Sequence, residues 1–426
     1  MLGTDINGDI GPDTIRLILP GGISITNLVP SISFTGKTVT PANGTAEDFS
    51  NPVSYSVTAD NGTTITYVVI VTLSSVPYSN MIFFGSGDSK FYAVDLLTGK
   101  IKWTFNSNGP ISSSATVSNG LVFVGNTNST IYALDALTGT LIWQNNYGSN
   151  TGILTPAAYR GSLYISINNV TSQSTLLALD QKSGAINVSS VYNTSVMGNI
   201  ITAPAAGGNT VYLGVGNSVS SASIFPPYGG WNTTVEDSYL DSVPLIQSDP
   251  TLSNGNVYFG CNDSSFYALD APSGAIKWSA KTGNVITSSA TVDSGFVYIG
   301  SRDHNLYAFN ATTGKESWSA SLGSAIESSP TVAKGIVYVG CDDGYMYALN
   351  ATTGVSVFKT KIGSAVYSSP AVSGGLVWIG SNDNNLYALN ALTGQVKFQI
   401  ATGGTIKSSP YIVSSNGDVY MTRQYQ

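Results

Sequence analysis

The sequence predicts an all-β chain in which an eight-bladed β-propeller over 77–426 follows a small β-sandwich over 1–76. Three observations carry that prediction. The stretch Val297 to Trp318, VYIGSRDHNLYAFNATTGKESW, recurs with copies beginning near Met81, Leu121, Leu163, Val211, Val257, Val297, Val337 and Val377. A period of ~40 residues built from four short strands is the mark of a propeller. Between copies lies a strand of small residues such as Glu327 to Val332, and the first 76 residues lack the repeat altogether.

Within one repeat the elements follow from residue type. Val297 and Ile299 alternate with Tyr298 up to Gly300, a polar turn carries Asp303, and Leu306 to Phe309 is a second β-rich run, which together read as a hairpin. Asn310 to Gly314 is the next turn, because Asn bonds its own backbone two residues on and Gly accepts positive φ. A third strand follows and carries Trp318.

A large ring stands four residues after the turn glycine in six copies: Trp103, Trp143, Trp278, Trp318, Phe358 and Phe398. A ring of ~150–250 Å² recurring at one place in the outermost strand suits blade-to-blade docking. The Ser-Ser-Pro and Ser-Ser-Ala strands at Ser288, Ser328, Ser368 and Ser408 suit the innermost position, where converging strands leave room only for small side chains. Eight inner strands and eight outer pairs are matched by nine strands of the VYxG type, the ninth being Val419 to Thr422. If the inner strand near Ser408 joins the first repeat's strands, both ends of the chain seal the ring and 418–426 is left over. A spare strand is either a tail lying on the surface or an addition to another sheet edge, and Val419 and Tyr420 are expected to contact a neighbouring subunit.

Composition bounds the function. Charged residues are 10%, against roughly 25% in ordinary soluble domains, so Ser, Thr, Asn, Gly and Tyr tile the surface, which suits an extracellular or cell-surface setting. The net charge of -7 with 17 scattered Lys and Arg argues against nucleic acid. No apolar run reaches the ~20 residues of a membrane helix, and MLGTDINGD lacks the basic flank and apolar core of a signal peptide.

In the N-terminal region, Asp60-Asn61-Gly62 between Val53 to Ala59 and Thr64 to Thr72 is a tight-hairpin signal. Asp5, Asn7 and Asp9 open like a calcium loop, but Ile10 and Arg16 stand where that loop needs Gly and Glu. Ile6-Asn7-Gly8, Val39-Thr40-Pro41, Asp48-Phe49, Asn51-Pro52-Val53 and Tyr55 to Ala59 resemble the immunoglobulin-like or cadherin-like modules of bacterial and archaeal surface proteins. That resemblance implies an extracellular setting and a spacer or assembly role.

Ala93-Val94-Asp95-Leu96-Leu97-Thr98-Gly99-Lys100-Ile101-Lys102-Trp103 and its counterparts resemble the tryptophan-docking repeat of pyrroloquinoline-quinone (PQQ)-like propellers. The resemblance covers roughly 80–426 and implies fold, not activity. Quinoprotein dehydrogenases of similar fold use adjacent cysteines, calcium and an Asp base. Here Cys261 and Cys341 occupy one slot two repeats apart, where other copies have Ser, and Asp88, Asp263, Asp303, Asp343 and Asp383 sit at one repeated turn. The single histidine, His304, lies in that turn too. No catalytic residue, cofactor or metal is expected, and a PQQ-dependent dehydrogenase is the remote alternative. Similar propellers that scaffold outer-membrane protein assembly suggest a periplasmic scaffold, against which the N-terminal module argues.

The repeat breaks between Val215 and Gln247, where Tyr228 and Trp231 stand among prolines and glycines. One reading is a drifted blade; the other is an aromatic loop that contacts a partner through Tyr228 and Trp231. Among the Asn-x-Ser/Thr sequons, Asn169, Asn193 and Asn232 in the irregular units are the glycosylation candidates. The expected function is a non-catalytic extracellular or cell-surface structural or interaction protein, a homo-oligomer or fibre built head to tail through heterologous contacts. The alternative is an adhesion or ligand-binding module for cell-surface glycans or protein, using the propeller face or 215–247.

Overall fold

The computed structural model describes the chain except residues 1–8, 11–12, 20–24, 31, 33, 74–77, 149–151, 168–174, 188–201, 225–228, 236–244, 415–418 and 422–426. Every regular element among the described residues is a β-strand. Among the described residues no helix is long and apolar enough to cross a membrane.

The N-terminal region forms one five-stranded sheet, ordered Asp9–Ile10, Thr14–Leu19, Thr64–Leu73, Val53–Thr58, Thr38–Thr40. Thr14–Leu19 and Thr64–Leu73 run parallel, with Thr14 opposite Val68. The hairpin turns at Asp60-Asn61-Gly62, where Asn61 Oδ1 accepts from the Thr63 N–H at 3.0 Å and Gly62 takes φ +84°. Leu19, Val39, Phe49, Tyr55, Val69 and Val71 form the core, with Ile25, Leu28 and Ile32 packed on it. A second sheet, which a sandwich requires, is not among the described residues.

Among the described residues eight further sheets follow, first to eighth in chain order. Six are antiparallel meanders of four strands; the third has three strands and the eighth five. In the sixth, Thr291–Asp293 is innermost, followed outward by Phe296–Gly300, Asn305–Asn310 and Glu316–Ser321. The two middle strands are buried on both faces, and the outer strand alternates exposed with half-buried residues. Each such outer strand bulges opposite its ring, as between Ala308 and Phe309 beside Trp318. The bulge bends the edge and raises local twist, and the small Ala308 leaves room for the indole.

The rings join the sheets. Trp103, Trp143, Trp278, Trp318, Phe358 and Phe398 lie against Gly139, Gly184, Gly314, Gly354, Gly394 and Gly99 respectively. In each pair the glycine belongs to the following sheet, so Phe398 of the eighth touches Gly99 of the first. The indoles also donate to carbonyls there, as Trp103 to Ala136 at 3.3 Å and Trp143 to Gln181 at 2.9 Å. Closure is completed by Tyr411–Val413, which pairs with Met81–Gly85 as the innermost strand of the first sheet.

The fourth sheet spans the break in the repeat. Ser218–Ser223 and Asn232–Thr234 are its two outer strands, and Trp231 docks on Gly274 with its indole N–H donating to Ala271 at 2.9 Å. Trp231 therefore docks on the next sheet as the other rings do, and stays half-buried. The sequence hid this because the usual Tyr-Ala-Leu-Asp run, which sets the register, is replaced here by Ser218–Ser223.

A correction concerns the ninth strand. Val419–Met421 pairs antiparallel with Ala371–Ser373, the inner strand of the eighth sheet, with Ser373 opposite Val419 and Val372 opposite Tyr420. Val419 and Met421 pack with Ala371 and Ile412, and Tyr420 packs on the cluster holding Ala333 and Val372. The edge that a neighbouring subunit would use is taken by the chain's own strand.

Candidate functional site

Two loops of every full sheet meet at one end of the axial channel: the loop after the second strand and the loop leading into the next inner strand. The residues leading into the inner strands carry backbone N–H groups outside any ladder, and such groups must find partners. Serine and threonine hydroxyls of the neighbouring sheet supply them. The N–H of Ser289 donates to Ser329 Oγ at 2.9 Å, Ser329 to Ser369 and Ser369 to Ser409 at 3.0 Å, Ser409 to Ser114 at 2.9 Å, and Ser114 to Thr155 at 3.0 Å. Asp249 and Ala203 extend this belt on the other side. Ser114, Thr155, Ser329, Ser369, Ser409 and Met421 line a small open pocket.

The repeated acids are committed to their own turns. Asp303 accepts from the Asn305 N–H at 2.8 Å, the Tyr307 hydroxyl at 2.7 Å and the Gly283 N–H at 2.6 Å. Asp88, Asp263, Asp343 and Asp383 hold Tyr92, Tyr267, Tyr347 and Tyr387 in the same way, at 2.5–2.6 Å. Burial, then the bonded carboxylate, pushes these phenols up. Cys261 and Cys341 are buried and point to the carbonyls of Leu245 and Ser324, as Ser301 does to that of Asn284. Burial raises both thiols to about 12, which suits packing and not nucleophilic chemistry. His304 is exposed at φ +77° in its turn. Among the described residues no group of three or more His, Cys, Asp or Glu is placed to hold a metal ion.

Two slots of the repeat behave differently. The slot before the Ser-Ser pair holds Thr287, Glu327, Tyr367 and Lys407 in successive sheets, and the slot after the Ser/Cys position holds Asn262, Arg302, Asp342 and Asn382. Both belong to the loops at the channel mouth, where the backbone N–H of Asp342 donates to Ala325 and that of Asn382 to Ala365, each at 3.1 Å. The unlike side chains meet there. Arg302 pairs with Glu327, and the Lys407 ammonium lies 5.3 Å from the Tyr367 ring centre. Burial, then repulsion from Glu327, raises Asp342 to about 6, with Arg302 opposing. Asp342, Glu327 and Arg302 all act on Tyr367. The motifs that repeat carry no sign of this arc. Its signal in the sequence is the pair of slots whose residue type changes from repeat to repeat.

The remaining expected site residues are placed as follows. Tyr228, Asn169 and Asn193 lie outside the described residues. Asn232 is exposed at the start of the outer strand of the fourth sheet. Trp231, Val419 and Tyr420 are engaged within the chain as described above.

The family model described as "Outer membrane protein assembly factor BamB" matches residues 87–301 and 262–423, and a second, described as "SGBP, N-terminal", matches 3–71. No curated protein matches the chain significantly in sequence. Among solved structures, BamB from Moraxella catarrhalis is similar at 20% identity, covering 74% of this chain and 92% of its own, with a TM-score of 0.57. The computationally designed Ika8 protein is similar at 19% identity, covering 76% and 94%, with a TM-score of 0.59. Quinohemoprotein alcohol dehydrogenase from Comamonas testosteroni is similar at 14% identity, covering 77% and 75%, with a TM-score of 0.59. At these identities the likeness is one of fold. The family match spans most of the chain, and the protein belongs to the PQQ-like repeat propeller family described as outer membrane protein assembly factor BamB.

Proposed function

We propose that this chain is a non-catalytic extracellular or cell-surface interaction protein. Its propeller is an eight-bladed ring over 77–426, and its N-terminal module, 1–76, is a spacer. Binding takes place at the end of the ring that carries Arg302, Glu327, Asp342, Tyr367 and Lys407. The observation that carries this reading is the contrast between slots: residues that build the ring recur from sheet to sheet, and the residues that differ meet at one channel mouth. Function placed on a rigid repeat scaffold is written in loops of this kind. The match of 3–71 to a surface glycan-binding protein module supports the surface setting.

Binding of the labelled full chain to the envelope fraction of its source cells tests the reading. Tyr367→Ala and Arg302→Ala should lower binding at least fivefold, and Thr313→Ala at the opposite end should leave it unchanged. Equal losses at both ends, or none, would sink it.

A second reading, head-to-tail assembly into a fibre, is favoured by one surface feature. Val355 and Leu392 are 66% and 70% exposed on equivalent turns of the seventh and eighth sheets. Electron microscopy of native material decides it: filaments support the fibre, and a monodisperse monomer removes it.

A further inference from the structure

The eighth sheet is complete without its fifth strand. Ala371–Ser373, Leu376–Gly380, Asn385–Asn390 and Val396–Ala401 repeat the four-stranded meander of the sixth sheet, and Val419–Met421 is added to the inner edge. No other inner strand among the described residues carries such an addition, so the ring does not demand it. The added strand pairs with Ala371–Ser373 and also lies against Thr331–Ala333 of the seventh sheet and Tyr411–Val413 of the first. Its side chains alternate as those of a seated strand do. Val419 and Met421 pack on the cluster holding Ala371, Trp378 and Ile412, and Tyr420 packs on the cluster holding Ala333 and Val372. The Ile412 N–H donates to Met421 Sδ at 3.3 Å. All three residues stay half-buried. Met421 belongs to the wall of the open pocket at Ser329, Ser369 and Ser409, so the strand ends beside the hydroxyl belt.

We infer that the inner edge Ala371–Ser373 is a docking edge for an extended segment of a partner protein, and that the chain's own Val419–Met421 is a tethered occupant which that segment displaces. Strand edges take extended peptides by backbone pairing, and the surfaces that meet alternate side chains give specificity. The occupant shows what fits: an aromatic residue between two aliphatic or thioether residues. A charged side chain at the central place would be desolvated against Ala333 and Val372 without a counter-charge. The tethered strand pairs over Val419–Met421 alone, and its advantage is one of tethering, an effective concentration on the order of millimolar for a short link. Weakening that strand therefore exposes the edge to a segment in solution. The inference concerns the edge inside the channel and does not rest on the side chains of the arc.

The test uses the full chain and a fluorescent synthetic peptide with the sequence of residues 418–423, Asp-Val-Tyr-Met-Thr-Arg. Alternate residues of an antiparallel strand donate to the partner strand. The double variant Val419→Pro, Tyr420→Pro therefore removes a ladder donor whichever of the two supplies it, and melting curves check its folding. The double variant should bind the peptide roughly tenfold or more tightly than wild type, because the tethered competitor is gone. Aspartate in place of the peptide's tyrosine should weaken that binding roughly tenfold or more. A benzophenone at the same place in the peptide should label Thr331–Ala333 or Ala371–Ser373, the strands that meet Tyr420. If the double variant fails to fold, the same labelling of wild type with excess peptide decides the matter, and its absence from both strands overturns the inference. Equal binding by wild type and the double variant, or equal binding of a scrambled peptide, overturns it as well. A wild-type dimer that the double variant loses would give the edge to a second copy of this chain and overturn the partner segment.

Discussion

Trp318 donates its indole N–H to the carbonyl of Ala351, 3.0 Å away, and covers Gly354 of the next sheet. A Cβ on Gly354 would lie 2.7 Å from the indole, and the residue sits at φ +71°. Gly354→Ala should therefore destabilise the ring by about 2 kcal/mol, combining left-handed strain with the clash. Trp318→Ala should cost about 2–4 kcal/mol, below the full-burial range because the ring is half-exposed. Chemical denaturation of both variants and of their double mutant checks this. Strong non-additivity is expected, since both changes break one contact.

Ser369 tests the hydroxyl belt. Ser369→Ala removes the acceptor of the Ser329 N–H while leaving the backbone untouched. The expected loss is about 1–3 kcal/mol, the cost of a buried donor left unpaired. Faster amide exchange should be confined to the inner strands of the seventh and eighth sheets, and a uniform rise around the ring would contradict the belt.

The pH dependence of stability follows from Asp342. Its folded pKa of about 6 lies above the ordinary 3.8, so the folded state binds this proton more tightly than the unfolded one. Stability is therefore highest below about 4 with respect to this group, and is lost as pH rises towards 6. Glu327, Asp343, Arg302 and Tyr367 are the groups facing it. Asp180 and Asp270 are lowered by the bonds from Ser183 and Ser273; with the opposite sign, their window lies below that of Asp342. Melting temperature should fall by on the order of 2 °C from pH 5 to pH 7, and Asp342→Asn should flatten that interval. A wild-type profile that rises over the interval would refute the assignment.

Removing residues 418–426 should weaken the junction of the seventh, eighth and first sheets, where Val419–Met421 pairs with Ala371–Ser373. Amide exchange at Ala371–Ser373 should accelerate while the oligomeric state stays as it was. A changed oligomeric state with unchanged exchange would restore the intersubunit role that the pairing argues against.

Much of the fold is legible in the residues because repetition makes the local signals redundant. Each turn glycine and the ring four residues on can be read from any copy, although nothing in one copy says that Trp318 meets Gly354 of the next sheet instead of Gly314 of its own. Trp231 was opaque for the opposite reason, because with its register motif replaced the ring looked like a loop residue. The ninth strand could be counted but its partner could not, since three residues pair equally well with any open edge. The arc was least legible of all. Arg302, Glu327, Asp342 and Tyr367 are separated by 15–25 residues and share no motif; only ring geometry brings them together.

The most direct measurement of the central claim is site-specific photo-crosslinking on the envelope fraction, with the same photoreactive residue placed at position 367 in the arc or at 313 on the opposite end. Crosslinks to envelope material from 367, and none from 313, are the predicted result. Equal yields from both positions, or crosslinks from 313 alone, would contradict a binding end at the channel mouth.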